Sequence, residues 1–219
     1  MDQLACAASG SVAVDFKKAA RPAVRRIPCD PAAAGYALCI VNTGASHAEL
    51  TAEYAAIPGE MKQAAFLGKE VLRDVEETDF WHCLPALREA VGGRAVLRAV
   101  HFFTDNALAG EEVRALEQGN FFLFLEFVNR SGESSARNLQ NLSCAACPAE
   151  QPIPVAIARA RRLLGGRGAV RVHGGGFAGT IQAYVPLEQK EDFQRGIEEV
   201  FGPGCCHFGR IRAVGGTVF

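Results

Sequence analysis

The second residue of the chain is an acid. Asp2 is followed by Gln3 and the small apolar run Leu4-Ala5-Cys6-Ala7-Ala8, so a carboxylate stands at the mouth of a small-residue helix. There it acts either as a cap or as a group aimed at a ligand. Far downstream, Gly174, Gly176 and Gly179 satisfy G-x-G-x-x-G within Gly174-Gly-Gly-Phe-Ala-Gly179. That spacing marks a dinucleotide site only when a helix follows, because the phosphate sits on the helix amino terminus. Here Thr180-Ile-Gln-Ala-Tyr-Val185 and Pro186 follow, too short and too β-branched for such a helix, which excludes that reading. Three consecutive glycines between strands still need a reason, since each loses conformational entropy on folding. A tight turn uses one or two of them; a backbone lying against a ligand or another loop, with no side chain between, uses all three.

The cysteines offer a second candidate chemistry. Cys144-Ala-Ala-Cys147 has the spacing of half a zinc site, and Cys205-Cys206-His207 is the candidate remainder. A zinc site would show two clean C-x-x-C pairs, and adjacent cysteines rarely both reach one ion, so no metal is expected. No strand precedes the C-x-x-C as in a thioredoxin-like redox unit. Most of the eight cysteines sit singly in apolar settings, as buried thiols of a reducing compartment do.

The elements that must position these residues can be read from periodicity. Val12–Phe16, Val24–Ile27 and Tyr36–Asn42 read as strands, the last apolar throughout and so covered on both faces. Helical spacing runs over Ala48–Lys69, with a break or kink expected at Pro58-Gly59, and resumes over Leu84–Ala90, Ala95–Leu108 and Glu111–Leu116. Helices follow over Phe121–Val128 and Pro154–Leu164, the latter stopped by Gly165-Gly166. The final third alternates: strand Ala169–His173, the glycine loop, strand Thr180–Val185, helix Leu187–Phe201 and strand Cys205–Arg212. Strands crossed by helices on one face predict a two-layer α+β sandwich of ferredoxin-like type.

Composition narrows the partners. A net charge of -1 over 219 residues gives no electrostatic reason to expect nucleic acid or an anionic membrane. The apolar runs are too short to cross a bilayer, and no secretory leader pattern opens the chain, so a cytoplasmic location is expected.

Three separated stretches match one family. Met1-Asp2-Gln3, the segment Asn42-Thr-Gly-Ala-Ser-His-Ala-Glu-Leu-Thr-Ala-Glu-Tyr54, and Arg171-Val-His-Gly-Gly-Gly-Phe-Ala-Gly179 together resemble the galactokinases, small-molecule kinases of the GHMP superfamily. Between them, in the family's order, Arg98-Ala-Val-His101 resembles its R-A-R-H helix and Gly119-Asn-Phe-Phe-Leu-Phe124 its G-D-x-x-x-F turn. In that family M-D-Q lies in the interior of a much longer protein. The resemblance therefore implies a carboxyl-terminal half, with Met1 an internal methionine serving as a start. Residues 1–44 would be a strand-rich remnant of the GHMP amino-terminal domain, and 45–219 the GHMP carboxyl-terminal domain. Strands cut from their first domain would expose edges, which predicts self-association through the remnant.

The resemblance also implies roles. Asp2 matches the catalytic aspartate, which accepts or orients the proton of a sugar's anomeric hydroxyl as it attacks the γ-phosphate of ATP, with Mg2+ as companion ion. The substrate implied is galactose or a related hexose, phosphorylated at O1. Tyr54 matches a tyrosine that helps hold the sugar. Gly174, Gly175 and Gly176, with Gly179 closing the motif, match the third GHMP motif, a loop that closes against the active site. The chain also departs from the family. Ser46 stands where the family places a basic residue beside the aspartate, with His47 as the nearby alternative. His173 replaces the family's threonine and Ala178 a glycine. The first motif, which grips the sugar, is missing from the sequence, and so is the G-L-S-S-S-A phosphate loop. Gly132-Glu-Ser-Ser-Ala136 approaches the latter in letters, but it follows M-D-Q instead of preceding it. Phosphoryl transfer is mostly positioning and electrostatic support, so the chain alone is expected to be inactive as a kinase. The alternative expectation is a non-catalytic, sugar-responsive regulator or binding module.

Overall fold

The computed structural model describes residues 7–8, 10–18, 20–44, 50–65, 68–145, 147–177 and 179–212. Two short strands, β1 (Ser11–Asp15) and β2 (Ala23–Ile27), pair antiparallel as a two-stranded ribbon. The main sheet holds β3 (Tyr36–Asn42), β4 (Ala169–Val172), β5 (Thr180–Pro186) and β6 (Cys206–Gly209), all antiparallel in the order β4-β5-β3-β6.

Strand β3 pairs with β5 from Tyr36↔Pro186 to Asn42↔Thr180 and with β6 on its other side. Its neighbours therefore come from the opposite end of the chain, and of the three early strands only β1 and β2 stand apart from the main sheet.

Between β3 and β4 the chain is helical. It runs through α1 (Thr51–Ala64), α2 (Glu77–His82), α3 (Leu84–Glu117), α4 (Phe121–Ser134) with a π-turn at Ser135–Leu139, and α5 (Pro152–Leu164); α6 (Lys190–Phe201) follows β5. Of the break or kink expected at Pro58-Gly59, no break is made, and α1 runs on through both residues. Pro58 lies on the exposed side of α1, where water can meet the carbonyl that loses its partner, while Met61 and Ala64 pack into a core with α2 and α3. The interruption expected after Ala90 is present: Gly92 turns to φ 82°, ψ 163° and divides α3. Helix α5 ends on Gly165 in the left-handed conformation, as Gly165-Gly166 foretold.

Alternation along the strands fills both faces of the sheet. Cys39, Val41, Val170, Val172, Ile181, Ala183 and Val185 meet Ile153, Ala156 and Ile157 of α5 and Phe193 and Ile197 of α6. On the opposite face Ala169 and Tyr184, with Tyr36 and Leu38 beside them, meet Leu108 and Ala115 of α3 and Phe124 and Leu125 of α4. The fold is mixed α+β as expected, but helices cover parts of both faces, so two layers understate it. Helix α4 also closes the edge of β4. The Asn129 side chain accepts from Val170 N at 3.0 Å and donates to Gly168 O at 3.1 Å, taking up main-chain groups that a further strand would otherwise engage.

Candidate functional site

The glycine loop between β4 and β5 meets Tyr54, on the first turn of α1. The Tyr54 hydroxyl donates to Gly176 O at 2.8 Å, joining residues 122 positions apart. Its ring lies so close to Gly175 that an added Cβ there would stand 2.6 Å from Cε1. Burial pushes the phenol above its ordinary pKa, which keeps it a protonated donor.

A second support comes from Asn141, just after the π-turn and only 2% exposed. Its main-chain oxygen accepts from Phe177 N at 2.5 Å, and its side-chain amide donates to Gly175 O at 3.1 Å. A Cβ on Gly176, which sits at φ 85°, would come within 2.0 Å of that same Asn141 oxygen. Gly175 and Gly176 are thus explained by backbone pressed against Tyr54 and Asn141 with no side chain between, whereas Gly174 has positive φ (70°) and open space around it. Phe177 takes the left-handed conformation without being glycine (φ 59°). It is held there by its bond to Asn141 and by a buried ring set edge-on to Tyr54 at 5.4 Å, among Leu50, Ile57 and Cys144. At the far end Gly179 O accepts from both Thr43 N (2.8 Å) and Thr43 Oγ1 (2.7 Å), tying the loop to the end of β3.

Arg98, within the R-A-R-H-like segment, links the two supports. Its side chain is 1% exposed, with Nη1 3.0 Å from Glu60 Oε2 on α1 and Nε donating to Leu139 O at 3.3 Å, two residues before Asn141. Burial pulls its guanidinium below the ordinary value, and Glu60 opposes that shift. His101, one turn on, lies 2.9 Å from Ser134 Oγ through Nδ1.

Sequence reasoning named Tyr54 and the glycines Gly174, Gly175, Gly176 and Gly179; the fold sets Gly175 and Gly176 against Tyr54, while Gly179 bonds to Thr43. It missed Asn141, because a single asparagine outside any periodic segment carries no pattern. Asp2, Ser46, His47 and Ala178 lie outside the described residues. The Gly132–Ala136 segment is helical: Gly132 and Ser134 belong to α4, Ser135 and Ala136 to the π-turn, and Ser134 and Ser135 are buried. It is therefore not a loop offering backbone amides to phosphate. Among the described residues no three His, Cys, Asp or Glu side chains converge as metal ligands, and Cys144 and Cys147 are free thiols.

No protein-family model matches the chain. The galactokinase of Mannheimia succiniciproducens is 30% identical over 164 residues, which is 74% of this chain and 40% of that protein. The galactokinase of Streptomyces coelicolor is 30% identical over 205 residues, 92% of this chain and 49% of that protein. Among solved structures, Lactococcus lactis galactokinase complexed with galactose superposes with a TM-score of 0.66 at 18% identity, covering 90% of this chain and 49% of that one. Mevalonate kinase of L. major in complex with R-mevalonate follows at TM-score 0.50 and 13% identity, over 90% of this chain and 47% of that one. The chain thus spans less than half the length of the curated relatives it matches. Among the described residues no helix is long and apolar enough to cross a membrane. In sequence and fold alike, the chain is a partial homologue belonging to the galactokinase/GHMP kinase family.

Proposed function

We propose that the chain is the carboxyl-terminal half of a galactokinase-type sugar kinase, contributing to phosphorylation of galactose or a related hexose at O1. One observation carries the reading: two motifs matched to that family, Tyr54 and Gly174–Gly176, lie in direct contact. In this reading the loop and Tyr54 form one wall of the sugar site, and Asp2 holds the anomeric hydroxyl. A carboxylate near its ordinary pKa of roughly 4 is a weak base, so its contribution is chiefly orientation.

ATP and Mg2+ are the cofactors of the proposed parent enzyme, and the described residues do not fit them. Gly132–Ala136 is helical and offers no phosphate loop, and among the described residues no acidic cluster could hold the ion. Their binding falls to segments that galactokinases carry outside the matched region. Ser46, in the position of the family's basic partner, favours a second reading as a sugar-responsive regulator without catalysis.

The test is an assay of ATP-dependent galactose phosphorylation, first with the 219-residue chain alone. It is repeated with the chain fused behind the first half of a galactokinase that supplies the phosphate loop and sugar clamp. Turnover by the fusion and none by the chain alone supports the kinase-half reading. Turnover by the chain alone overturns the proposal that it is an inactive half. A folded, galactose-binding fusion without turnover favours the regulator.

A further inference from the structure

On the face of the sheet covered by α3 and α4, beside the first residues of the glycine loop, lies a half-enclosed cavity of about 310 Å3. Strands β4 and β5 place Arg171, Gln182 and Tyr184 on it, α3 contributes Glu112, and the β1–β2 ribbon contributes Ser11 and Ile27. Neither Tyr54 nor Asn141 lines it, so it is separate from the contacts that hold the glycine loop.

Its polar groups are unevenly satisfied. Arg171 commits Nη1 to Ser131 Oγ at 2.5 Å and Nε to Val172 O at 3.3 Å. Gln182 Nε2 donates weakly to the Tyr184 hydroxyl at 3.4 Å, and Gln182 Oε1 lies 3.2 Å from His173 Nδ1. The Glu112 carboxyl has no hydrogen bond or ion pair with any described residue, although it is half-buried on the cavity wall. Burial pushes it up to about 7, with Arg171 opposing and Asp105 adding to the rise. A partly desolvated acceptor left unmatched by the described residues can take a donor from a ligand.

The surroundings select that donor. A cation would meet the Arg171 guanidinium, and an anion would meet Glu112. A neutral hydroxyl-bearing molecule can donate to Glu112, accept from Tyr184 or Arg171, and lay its C–H face on Ile27 and Phe124. The volume stands at the small end of the range for ligand sites, roughly 300–1,000 Å3, which suits a single sugar ring or cyclitol. We infer that this cavity is a binding site for a small neutral polyol of monosaccharide size, anchored by a hydroxyl donated to Glu112. The inference rests on the cavity and its side chains, not on the kinase reading.

The chain has three tyrosines, and of these only Tyr184 lines the cavity. Fluorine NMR of the full chain labelled with 3-fluorotyrosine therefore gives three signals, assigned by single Tyr→Phe variants. D-galactose, D-glucose and myo-inositol are titrated to tens of millimolar, with choline as the cationic control. At least one polyol should move the Tyr184 signal saturably, and Glu112→Ala should weaken that binding at least tenfold. Glu112→Gln, which keeps the side chain's volume, checks that the loss is not unfolding, since its unliganded spectrum should match the parent's. An unmoved Tyr184 signal in the folded protein, equal binding by Glu112→Ala, or movement with choline alone overturns the inference. Movement of Tyr54 without Tyr184 also overturns it, while supporting a sugar at the glycine loop.

Discussion

Replacing Gly176 with alanine puts a methyl group where the Asn141 carbonyl oxygen now is. The new Cβ would lie 2.0 Å from that oxygen, at a residue whose φ is 85°. The left-handed backbone alone costs an alanine about 1–2 kcal/mol. Asn141 cannot keep its place, and with it go the Phe177 N–H bond and the amide bond to Gly175 O. At about 0.5–1.5 kcal/mol for each bond, the whole change amounts to about 2–5 kcal/mol. Gly174 supplies the control, because it too has positive φ (70°) but nothing within 4 Å of its would-be Cβ. Gly174→Ala should therefore cost only the backbone share, about 1–2 kcal/mol. Urea unfolding followed by far-ultraviolet circular dichroism measures the two side by side. Hydrogen exchange at the Phe177 amide separates a loop that has merely detached from a chain that is globally weaker. If Gly176→Ala costs no more than Gly174→Ala and the Phe177 amide stays protected, the packing of this loop on Asn141 is wrong.

Other expectations follow from the same geometry. Tyr54→Phe deletes the hydroxyl that holds Gly176 O, so stability should fall by about 0.5–1.5 kcal/mol and exchange should quicken at Gly175–Phe177; unchanged exchange counts against the contact. Glu112 is pushed from an ordinary 4.5 up to about 7, so the folded chain holds its proton more tightly than the unfolded one. Its favourable contribution is full below pH 4.5 and is lost as pH rises through 7. The full shift would be about 3 kcal/mol, which solvent screening at a half-exposed carboxyl reduces to about 1–2 kcal/mol. Glu112→Gln should remove that part of the pH slope, and identical slopes for both proteins would contradict it. Finally, the β1–β2 ribbon pairs with no strand of the main sheet, and Phe16 and Val24 are exposed on it, so light scattering should report self-association. A clean monomer at high concentration refutes that.

The sequence carried the local elements well and the long-range pairings poorly. Tyr36–Asn42 shows as a strand because six residues in a row, Tyr36 to Val41, are apolar or strand-forming, and its bounds are those of β3. Nothing within those residues says that Thr180–Pro186 and Cys206–Gly209 flank it, since pairing partners are chosen by the whole fold. The Gly165 cap was legible because glycine's backbone freedom is a local property. Pro58 misled for a complementary reason: its local penalty is real, but tertiary packing of α1 outweighs it. At the site, the glycine run announced a close approach without naming the partner. The resemblance supplied Tyr54, and only the fold supplied Asn141 and the bridge through Arg98.

The Asn129 amide gives the main sheet a handed growth rule. A side chain that mimics a neighbouring backbone acts as a plug, so an incoming peptide seeking main-chain partners along β4 would first have to evict it and α4. Any assembly by strand addition must then recruit through another flank, and a chain with Asn129→Leu should lose that one-sidedness.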